Sequence, residues 1–248
     1  MLSGVPVSST PRADQLLEQF LQGSDRQARA LVKALRQQAA DLTPLIRDGL
    51  RSTDRDGDSW RFGYLLQLLA APSATAIEGV VADLFPGGWL IASSAAGLDY
   101  TPLQSHLLRQ EFEEADRLTS AHLRQLAGPE AERRGYVYFS EVAAIPGLDL
   151  LSLDRLWHAY SLGRFGFSVQ GRLLRLCDNR WEALWPRLGW KRDGLWTRYP
   201  GAFSWTLEAP EGHMPLVNQL RGVRLMDALL HHPALQDRTD AALKAAKG

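Results

Sequence analysis

The chain has 248 residues, which is long enough for one large domain or two ordinary ones with a sizeable buried core. Its 28 lysines and arginines balance its 28 aspartates and glutamates, so no overall charge favours binding to nucleic acid or to an anionic membrane. A single cysteine excludes an internal disulfide framework and a cysteine-rich metal site, and no apolar run is long enough for a transmembrane helix. We therefore expect a soluble intracellular protein.

The first part of the chain has the apolar periodicity of short helices, which runs from residue 14 to about residue 50. A break in this pattern precedes Ser24 and Asp25, either of which can cap the next helix. Thr43 followed by Pro44 predicts the start of a third helix, because threonine is a common N-cap and proline is favoured in the first turn.

The acidic run 54–58 has the composition of a calcium-binding loop. Its glycine falls two positions early, however, and Leu65 occupies the twelfth position, where a calcium loop needs a bidentate glutamate. We interpret the run as an ordinary acidic turn. Helical patterns follow at 60–71 and 74–85, so the sequence predicts a small helical bundle without a cluster of residues suited to catalysis.

A second series of helices follows the small, unpatterned stretch 91–97, which reads as a linker between domains. Thr101 is predicted to cap a helix that has Pro102 at its first position, and a longer helix is predicted to end at Gly128. Residues 130–148 are predicted to form a long loop with aromatic side chains. A loop of this length is uncommon unless it has a function.

The next helix is predicted to begin at Ser152, a favourable N-cap. Phe165 and Phe167 could stack on the bases of single-stranded nucleic acid, but the neutral net charge favours packing in the core. Residues 203–207 alternate like a short strand, with no second strand nearby to pair with it. The predicted parts of the chain are a disordered N-terminus, the helical bundle, a core domain and a C-terminal tail, at residues 1–12, 13–90, 91–234 and 235–248.

The segment 212–224 begins as an apolar loop and continues as a helix. Arg221 and Arg224 would lie side by side on this helix, because residues three apart are neighbours on a helix surface. An apolar loop beside two guanidinium groups suits a flat apolar ligand with two carboxylates, but two arginines on a helix are also typical of a solvated face. His213 could ligate a metal, but it more plausibly orders the loop.

Two other classes of function are alternatives to ligand binding. A hydrolase needs an activated nucleophile, and neither Ser168 nor Cys177 lies in a motif of that kind. The chain also has no Gly-x-Ser-x-Gly or Walker sequence. A protein-interaction scaffold is the stronger alternative, because the N-terminal bundle resembles helical repeat hairpins.

Six segments of the second half form a recognisable series: Leu98–Leu103, Glu114–Asp116, Leu156–Trp157, Gly163–Gln170, Gly189–Trp190 and Gly212–Leu216. In this order they resemble the genomes-uncoupled family of porphyrin-binding regulators of magnesium chelatase, which is known from cyanobacteria and plastids. The resemblance runs from about Leu98 to His232. The N-terminal bundle resembles the extra helical bundle of cyanobacterial members, and the lack of a plastid transit peptide favours a cyanobacterial source.

The resemblance implies an all-α fold, in which the N-terminal helical bundle precedes an all-helical core shaped like a cupped hand with long loops. The palm of this core would bind protoporphyrin IX or Mg-protoporphyrin IX. Tyr199 stands where related sequences carry tryptophan, and it offers a smaller ring for stacking. By motif, Arg221 and Arg224 would meet the porphyrin propionates, Asn218 would lie near the macrocycle or its metal, and Leu216, Phe139, Val142 and Tyr199 would line the apolar palm.

The resemblance further implies a regulator without catalysis of its own and without a catalytic cofactor. Such a protein stimulates magnesium chelatase through the large, porphyrin-binding H subunit of that enzyme, at the first committed step of chlorophyll biosynthesis. It would be a monomer in the cytoplasm, partly peripheral on the thylakoid membrane. The alternative is a helical protein-interaction scaffold without a physiological porphyrin ligand.

Overall fold

The computed structural model describes residues 12–50, 57–70, 85, 88–217 and 223–245. The chain divides into two compact units, Met1–Thr53 and Asp54–Gly248. Helices dominate the described residues, which confirms the all-α class predicted from the sequence. None of the helices in these ranges is long and apolar enough to cross a membrane. The predicted disordered N-terminus, most of the acidic turn and most of the helix at 74–85 lie outside the described residues.

The first unit packs three helices, α1 (Ala13–Gln22), α2 (Asp25–Gln37) and α3 (Ala39–Leu50). Ser24 caps α2, as predicted: its Oγ accepts a hydrogen bond from Gln27 N–H, while the Gln27 side chain accepts one from Ser24 N–H at 2.8 Å. The apolar stripes of the helices meet in a core of Leu16, Phe20, Ala28, Leu35, Leu42, Ile46 and Leu50.

The predicted cap at Thr43 is wrong, because α3 begins four residues earlier, at Ala39. The Thr43 hydroxyl donates to the carbonyl of Ala39 at 2.8 Å, so it bonds back along the helix instead of capping its start. Pro44 therefore lies inside α3. The physical reason is burial: Leu42 is fully buried one turn before Ile46, so a helix that includes Leu42 buries both on the same face.

The described residues of the second unit form helices and one small hairpin. The helices α4 to α10 are Trp60–Ala70, Thr101–Leu108, Phe112–Ala127, Pro129–Arg134, Gly147–Ala159, Phe167–Leu176 and Trp181–Leu188, and a 3-10 helix spans Phe139–Ala144. After the antiparallel strands β1 (Lys191–Arg192) and β2 (Leu195–Trp196) come α11 (Arg224–Leu230) and α12 (Pro233–Ala245). The segment predicted as a C-terminal tail thus contains most of a helix.

Helix α4 belongs to the second unit, although the division predicted from the sequence assigns it to the N-terminal bundle. It packs on α5 and α8, and the buried amide of Gln67 donates to the carbonyls of Leu107 at 3.1 Å and Tyr160 at 2.8 Å. The stretch 91–97, predicted to be a linker, also lies in this unit. Its Ala95 N–H donates to the buried carboxylate of Asp149 at 3.0 Å.

Residues 130–148 are not the long loop that was predicted. They form α7, the 3-10 helix and the start of α8, which are joined by short connections. Helices of six residues are too short to show an apolar period, so the pattern could not reveal them. The cap predicted at Ser152 is also wrong, because Ser152 lies within α8 and its hydroxyl donates to the carbonyl of Ser93 at 2.6 Å.

Two further local predictions need correction. Helix α5 begins at Thr101 itself, and Asp99 takes the capping role by accepting the Thr101 N–H at 2.9 Å. Residues 203–207 form no strand. Instead, Trp205 stacks on Phe203 at 5.8 Å between ring centres, and its indole N–H donates to Pro200 O, so the alternation reflects aromatic packing in a turn.

Helix α8 runs through the core of the second unit. Its Trp157 is fully buried, stacks on Phe112 at 6.1 Å, and donates its indole N–H to the Thr119 hydroxyl at 2.9 Å. Phe165 and Phe167 are fully buried as well, which confirms that they pack in the core. Each such side chain contributes roughly 1.5–3 kcal/mol of transfer free energy.

A stack of tryptophans joins α10 to the hairpin that follows it. The Trp185 ring lies 5.2 Å from that of Trp181 and 5.8 Å from that of Trp190, with interplanar angles of 29° and 10°. Trp196, on β2, lies 5.5 Å from Trp185. This stack supports the segments on either side of residue 200, which carry part of the predicted site.

Candidate ligand-binding site

The two segments most specific to the resemblance are hydrogen-bonded to each other. Gly212 N–H donates to the carbonyl of Arg164 at 2.8 Å. The buried side chain of Gln170 donates to the carbonyls of Gly212 at 2.9 Å and of Pro215 at 2.8 Å. Polar backbone groups that leave water need such partners. The loop Gly212–Val217, here called the anchored loop, therefore has a backbone held by residues of the segment 163–170.

His213 lies at the centre of the anchored loop and is fully buried. Its Nδ1–H donates to the carbonyl of Leu188 at 2.6 Å, and its Nε2 accepts Ser204 N–H at 3.3 Å. The indole N–H of Trp190 donates to the His213 carbonyl at 2.8 Å. Burial lowers the pKa of His213, which favours the neutral ring that these bonds require. These contacts agree with the interpretation that His213 orders the loop.

Asp116, on α6, holds the far end of the anchored loop. Its Oδ1 accepts the backbone N–H of Leu216 at 2.6 Å, although the two residues are far apart in sequence. Asp116 is only 2% exposed, and this burial raises the pKa of Asp116 to about 7; the Leu216 hydrogen bond opposes the rise and the charge of Glu113 adds to it. Leu216 itself is half-buried, so part of its side chain stays at the surface.

Tyr199 lies in the same electrostatic environment as this contact. Its ring is 47% exposed and meets the rings of Phe203 at 6.1 Å and Trp205 at 5.9 Å, both in edge contacts. Burial of its hydroxyl raises the pKa of Tyr199, and the carboxylates of Asp116 and Glu113 raise it further. Tyr199 and the Leu216 end of the anchored loop thus lie near the same part of α6.

Phe139 and Arg224 form a second part of the candidate site. The Arg224 guanidinium lies 5.4 Å from the centre of the Phe139 ring, a cation–π distance, and α11 packs on the 3-10 helix. Phe139 is 46% exposed, so part of its side chain remains at the surface. Val142 lies in the same 3-10 helix but is only 1% exposed, so in this structure it supports the helix from inside.

An arginine that the sequence did not single out orders this 3-10 helix. The Arg134 guanidinium lies 3.9 Å from the centre of the Tyr138 ring and 4.8 Å from that of Tyr136. It also donates to Glu141 at 2.6 Å, and Glu141 accepts Tyr138 N–H at 2.7 Å. The glutamate three residues after the start of a helical turn was the available signal. Asp116 offered no such signal, because its partner is distant in sequence.

Asn218 and Arg221 lie outside the described residues, so the predicted pair of guanidinium groups is represented by Arg224 alone. Among the described residues, no group of three or more His, Cys, Asp or Glu side chains is placed to hold a metal ion. The described part of the site is therefore an apolar and aromatic surface with the Arg224 cation beside Phe139. Such a surface suits a flat apolar ligand that carries an anionic group.

Fold and site together define an all-helical protein in which an anchored loop lies beside exposed aromatic side chains. The family model described as GUN4-like matches residues 93–233, which is more than half of the chain. The chain belongs to this family, as the six segments had indicated.

Curated relatives come from cyanobacteria and plastids. The chain is 49% identical over 149 residues to a Ycf53-like protein of Synechocystis, which covers 60% of this chain and 64% of that protein. It is 37% identical over 147 residues to an Arabidopsis protein named "Tetrapyrrole-binding protein, chloroplastic", which covers 56% of each. The chain thus spans less than two thirds of the length of both relatives.

Solved structures of the family have the same core. The structure of GUN4 from Chlamydomonas reinhardtii is 41% identical, covers 59% of this chain and 94% of that chain, and superposes with a TM-score of 0.56. The ligand-free structure of Arabidopsis GUN4 is 39% identical, covers 56% of this chain and 99% of that chain, and superposes with a TM-score of 0.52.

Proposed function

We propose that this chain binds a tetrapyrrole, protoporphyrin IX or Mg-protoporphyrin IX, on the surface that includes Leu216, Phe139 and Tyr199. The observation that carries the proposal is the anchored loop, whose buried hydrogen bonds hold its backbone while Leu216 remains partly at the surface. The name of the Arabidopsis relative as a tetrapyrrole-binding protein supports the same ligand class. A surface ordered in advance loses less conformational entropy when it binds.

The binding energy of such a site comes mainly from apolar contact. If the protein covers about 400 Å² of apolar macrocycle, the transfer term at about 25 cal/mol per Å² is roughly 10 kcal/mol. Association costs of about 4–15 kcal/mol offset much of this, so moderate affinity follows. An exposed pair between arginine and a carboxylate adds only about 0–1 kcal/mol. In this proposal Leu216 and the aromatic rings supply the affinity, while Arg224 orients the propionates.

The remaining residues of the predicted site keep the roles that the resemblance implies. Arg221 pairs with a propionate beside Arg224, and Asn218 lies near the macrocycle or its metal. Val142 contributes to the palm from within the 3-10 helix, where it is 1% exposed.

We further propose that the chain regulates chlorophyll biosynthesis without catalysis of its own. In this proposal the monomer delivers porphyrin to magnesium chelatase, and contact with the large H subunit stimulates the enzyme. It acts in the cytoplasm and in part at the surface of the thylakoid membrane. Membership of the GUN4-like family supports this regulatory role.

A fluorescence titration tests the ligand. The chain contains 8 tryptophans, and a bound porphyrin accepts their excitation energy, so addition of deuteroporphyrin should quench their emission to a plateau. A magnesium chelatase assay with purified subunits, ATP and Mg²⁺ tests the regulatory role. We expect the wild-type chain to raise the rate of Mg-porphyrin formation, and a variant that has lost porphyrin binding to raise it less.

The alternative is a helical protein-interaction scaffold without a physiological porphyrin ligand. The three-helix first unit favours it, because this unit lies outside the residues matched by the family model. A scaffold would give quenching that rises linearly with porphyrin concentration, without a plateau. That result would remove the tetrapyrrole proposal and leave the scaffold.

A further inference from the structure

The contact between Asp116 and Leu216 differs in kind from the other bonds that hold the anchored loop. The side chains of Gln170 and Trp190 hold this loop with neutral amide and indole groups. Asp116 holds it with a carboxylate, whose Oδ1 lies 2.6 Å from Leu216 N. When this carboxylate is ionised, its hydrogen bond is about twice as strong as a neutral one, so the bond is well suited to fix a backbone position.

The surroundings of Asp116 make this arrangement costly. The residue is 2% exposed, and no ion pair is formed with it by the cations of the described residues. Its charged neighbour there is Glu113, which repels it and raises its pKa further, and the nearby Tyr199 hydroxyl is neutral because its own pKa is raised. Burying a carboxylate without a paired cation destabilises a fold. A leucine would fill similar space without that cost, so stability alone does not account for an aspartate here.

The position of the contact indicates what the carboxylate does. Leu216 lies at the end of the anchored loop, immediately before the buried Val217. Its side chain is only half-buried, so its direction depends on how the backbone is held. Binding surfaces need their contact groups within roughly 0.5 Å of the productive position. Loss of the Asp116 bond would free the Leu216 peptide and let this side chain move.

We propose that Asp116 is a positioning residue for tetrapyrrole binding, which fixes the Leu216 backbone so that the Leu216 side chain meets the macrocycle. The inference rests on the proposed function, because it assigns a role within that binding site. Asp116 touches the loop and acts through Leu216, without a contact of its own to the ligand.

The test compares three substitutions of the full-length chain, with deuteroporphyrin as the probe. Asp116→Asn keeps an oxygen that can accept the Leu216 N–H, so its Kd should stay within about threefold of wild type. Asp116→Leu removes the acceptor, and its Kd should rise by about tenfold, as expected for loss of a charge-assisted bond. Thr119→Val is the matched control: it removes a buried hydrogen bond on the same helix, which joins Thr119 to Trp157 and not to the anchored loop, so its Kd should not change.

A double-mutant cycle separates positioning from a general structural role. If Asp116 acts through Leu216, Asp116→Leu combined with Leu216→Ala should weaken binding no more than Leu216→Ala alone. Additive losses would overturn the proposal, as would an unchanged Kd in a folded Asp116→Leu protein. If Asp116→Leu does not fold, Asp116→Ser replaces it, because the serine hydroxyl is too short to reach the Leu216 amide.

Hydrogen exchange distinguishes failure of this inference from failure of the proposed function. The Leu216 amide should exchange faster in Asp116→Leu than in wild type or in Thr119→Val, with or without porphyrin. Faster exchange without saturable porphyrin quenching in wild type would refute the tetrapyrrole proposal alone. Unchanged exchange together with normal wild-type binding would refute the role of Asp116 alone.

Discussion

The guanidinium of Arg224 lies 5.4 Å from the centre of the half-exposed Phe139 ring, so a cation and an aromatic face meet at one edge of the candidate site. The arginine comes from the first turn of α11 and the ring from the 3-10 helix. Since the two elements pack on each other, a ligand that reaches the ring also comes within reach of the charge.

We expect Arg224→Ala to weaken deuteroporphyrin binding by no more than about fivefold, because an exposed ion pair contributes only about 0–1 kcal/mol. Fluorescence titration at two salt concentrations measures this, and the difference from wild type should shrink at high salt. Arg26→Ala, at an exposed arginine of the first unit, is the control. If Arg224→Ala weakens porphyrin binding more than the Leu216 substitution described below, then Leu216 does not supply most of the affinity and Arg224 does more than orient the ligand.

Leu216→Glu should abolish saturable quenching, because it places a charge where the macrocycle needs apolar contact and adds repulsion to the propionates. The same titration measures the effect, with circular dichroism to confirm the helical fold. Leu148→Glu is a matched control, since Leu148 is 44% exposed on α8 and is no part of the proposed site. If both substitutions abolish quenching, the loss comes from the fold and not from the site.

Gly212→Ala should lower the melting temperature by several degrees. Gly212 has φ +75, and a Cβ there would lie 2.7 Å from side-chain carbons of Leu173 and Leu188. The left-handed backbone costs roughly 1–2 kcal/mol for a residue with a side chain, and overpacking typically adds about 1–3 kcal/mol. Gly97→Ala measures the cost of the left-handed backbone alone, because Gly97 also has φ +75 but has open space around it. If the two variants had equal melting temperatures, the predicted steric clash with Leu173 and Leu188 would be wrong.

Asp116→Asn should stabilise the fold above neutral pH. Burial raises the pKa of Asp116 from 3.8 to about 7 in the folded state, so folding binds a proton between these values and wild-type stability falls as pH rises through this range. Asparagine does not titrate, so the advantage of the variant should grow from pH 4 to pH 7, by up to about 1.4 kcal/mol per unit, and then level off.

Urea unfolding at pH 4, 5.5, 7 and 8.5 measures this dependence. Asp99→Asn is the contrasting control: hydrogen bonds from Thr101 lower the pKa of Asp99, so this residue titrates below about pH 4 and its stability difference from wild type should stay nearly constant from pH 5.5 to 8.5. A constant difference between wild type and Asp116→Asn at all four pH values would contradict the prediction.

Sequence patterns predicted features whose causes lie close together in the chain. The cap at Ser24 depends on Gln27, three residues away, and the end of α6 at Gly128 depends on its own backbone freedom. The same local logic failed at Thr43 and Ser152, because burial of Leu42 and the contact of Ser152 with Ser93 override capping preference. Tertiary packing therefore decided where these two helices begin.

The candidate site likewise combines features that the sequence predicted with features that depend on tertiary packing. Its residues were predicted from a family resemblance, and the structure brings Arg224 to Phe139 while placing Val142 inside. The supports of the site could not be predicted, because Asp116 and its partner Leu216 are joined only by the fold. Periodicity reports which face of a helix is buried, but it does not report which distant amide a buried carboxylate will meet.

The tryptophan stack has a consequence for what emission from this protein reports. The ring centres of Trp181, Trp190 and Trp196 lie within 6 Å of that of Trp185, so excitation can transfer among these four rings before a photon is emitted. Trp190 is also bonded to the His213 carbonyl of the anchored loop. A shift of that loop would alter the polarity around the indole N–H of Trp190. The emission wavelength of these tryptophans would then change. The intrinsic tryptophan emission therefore reports on the position of the anchored loop without an added dye.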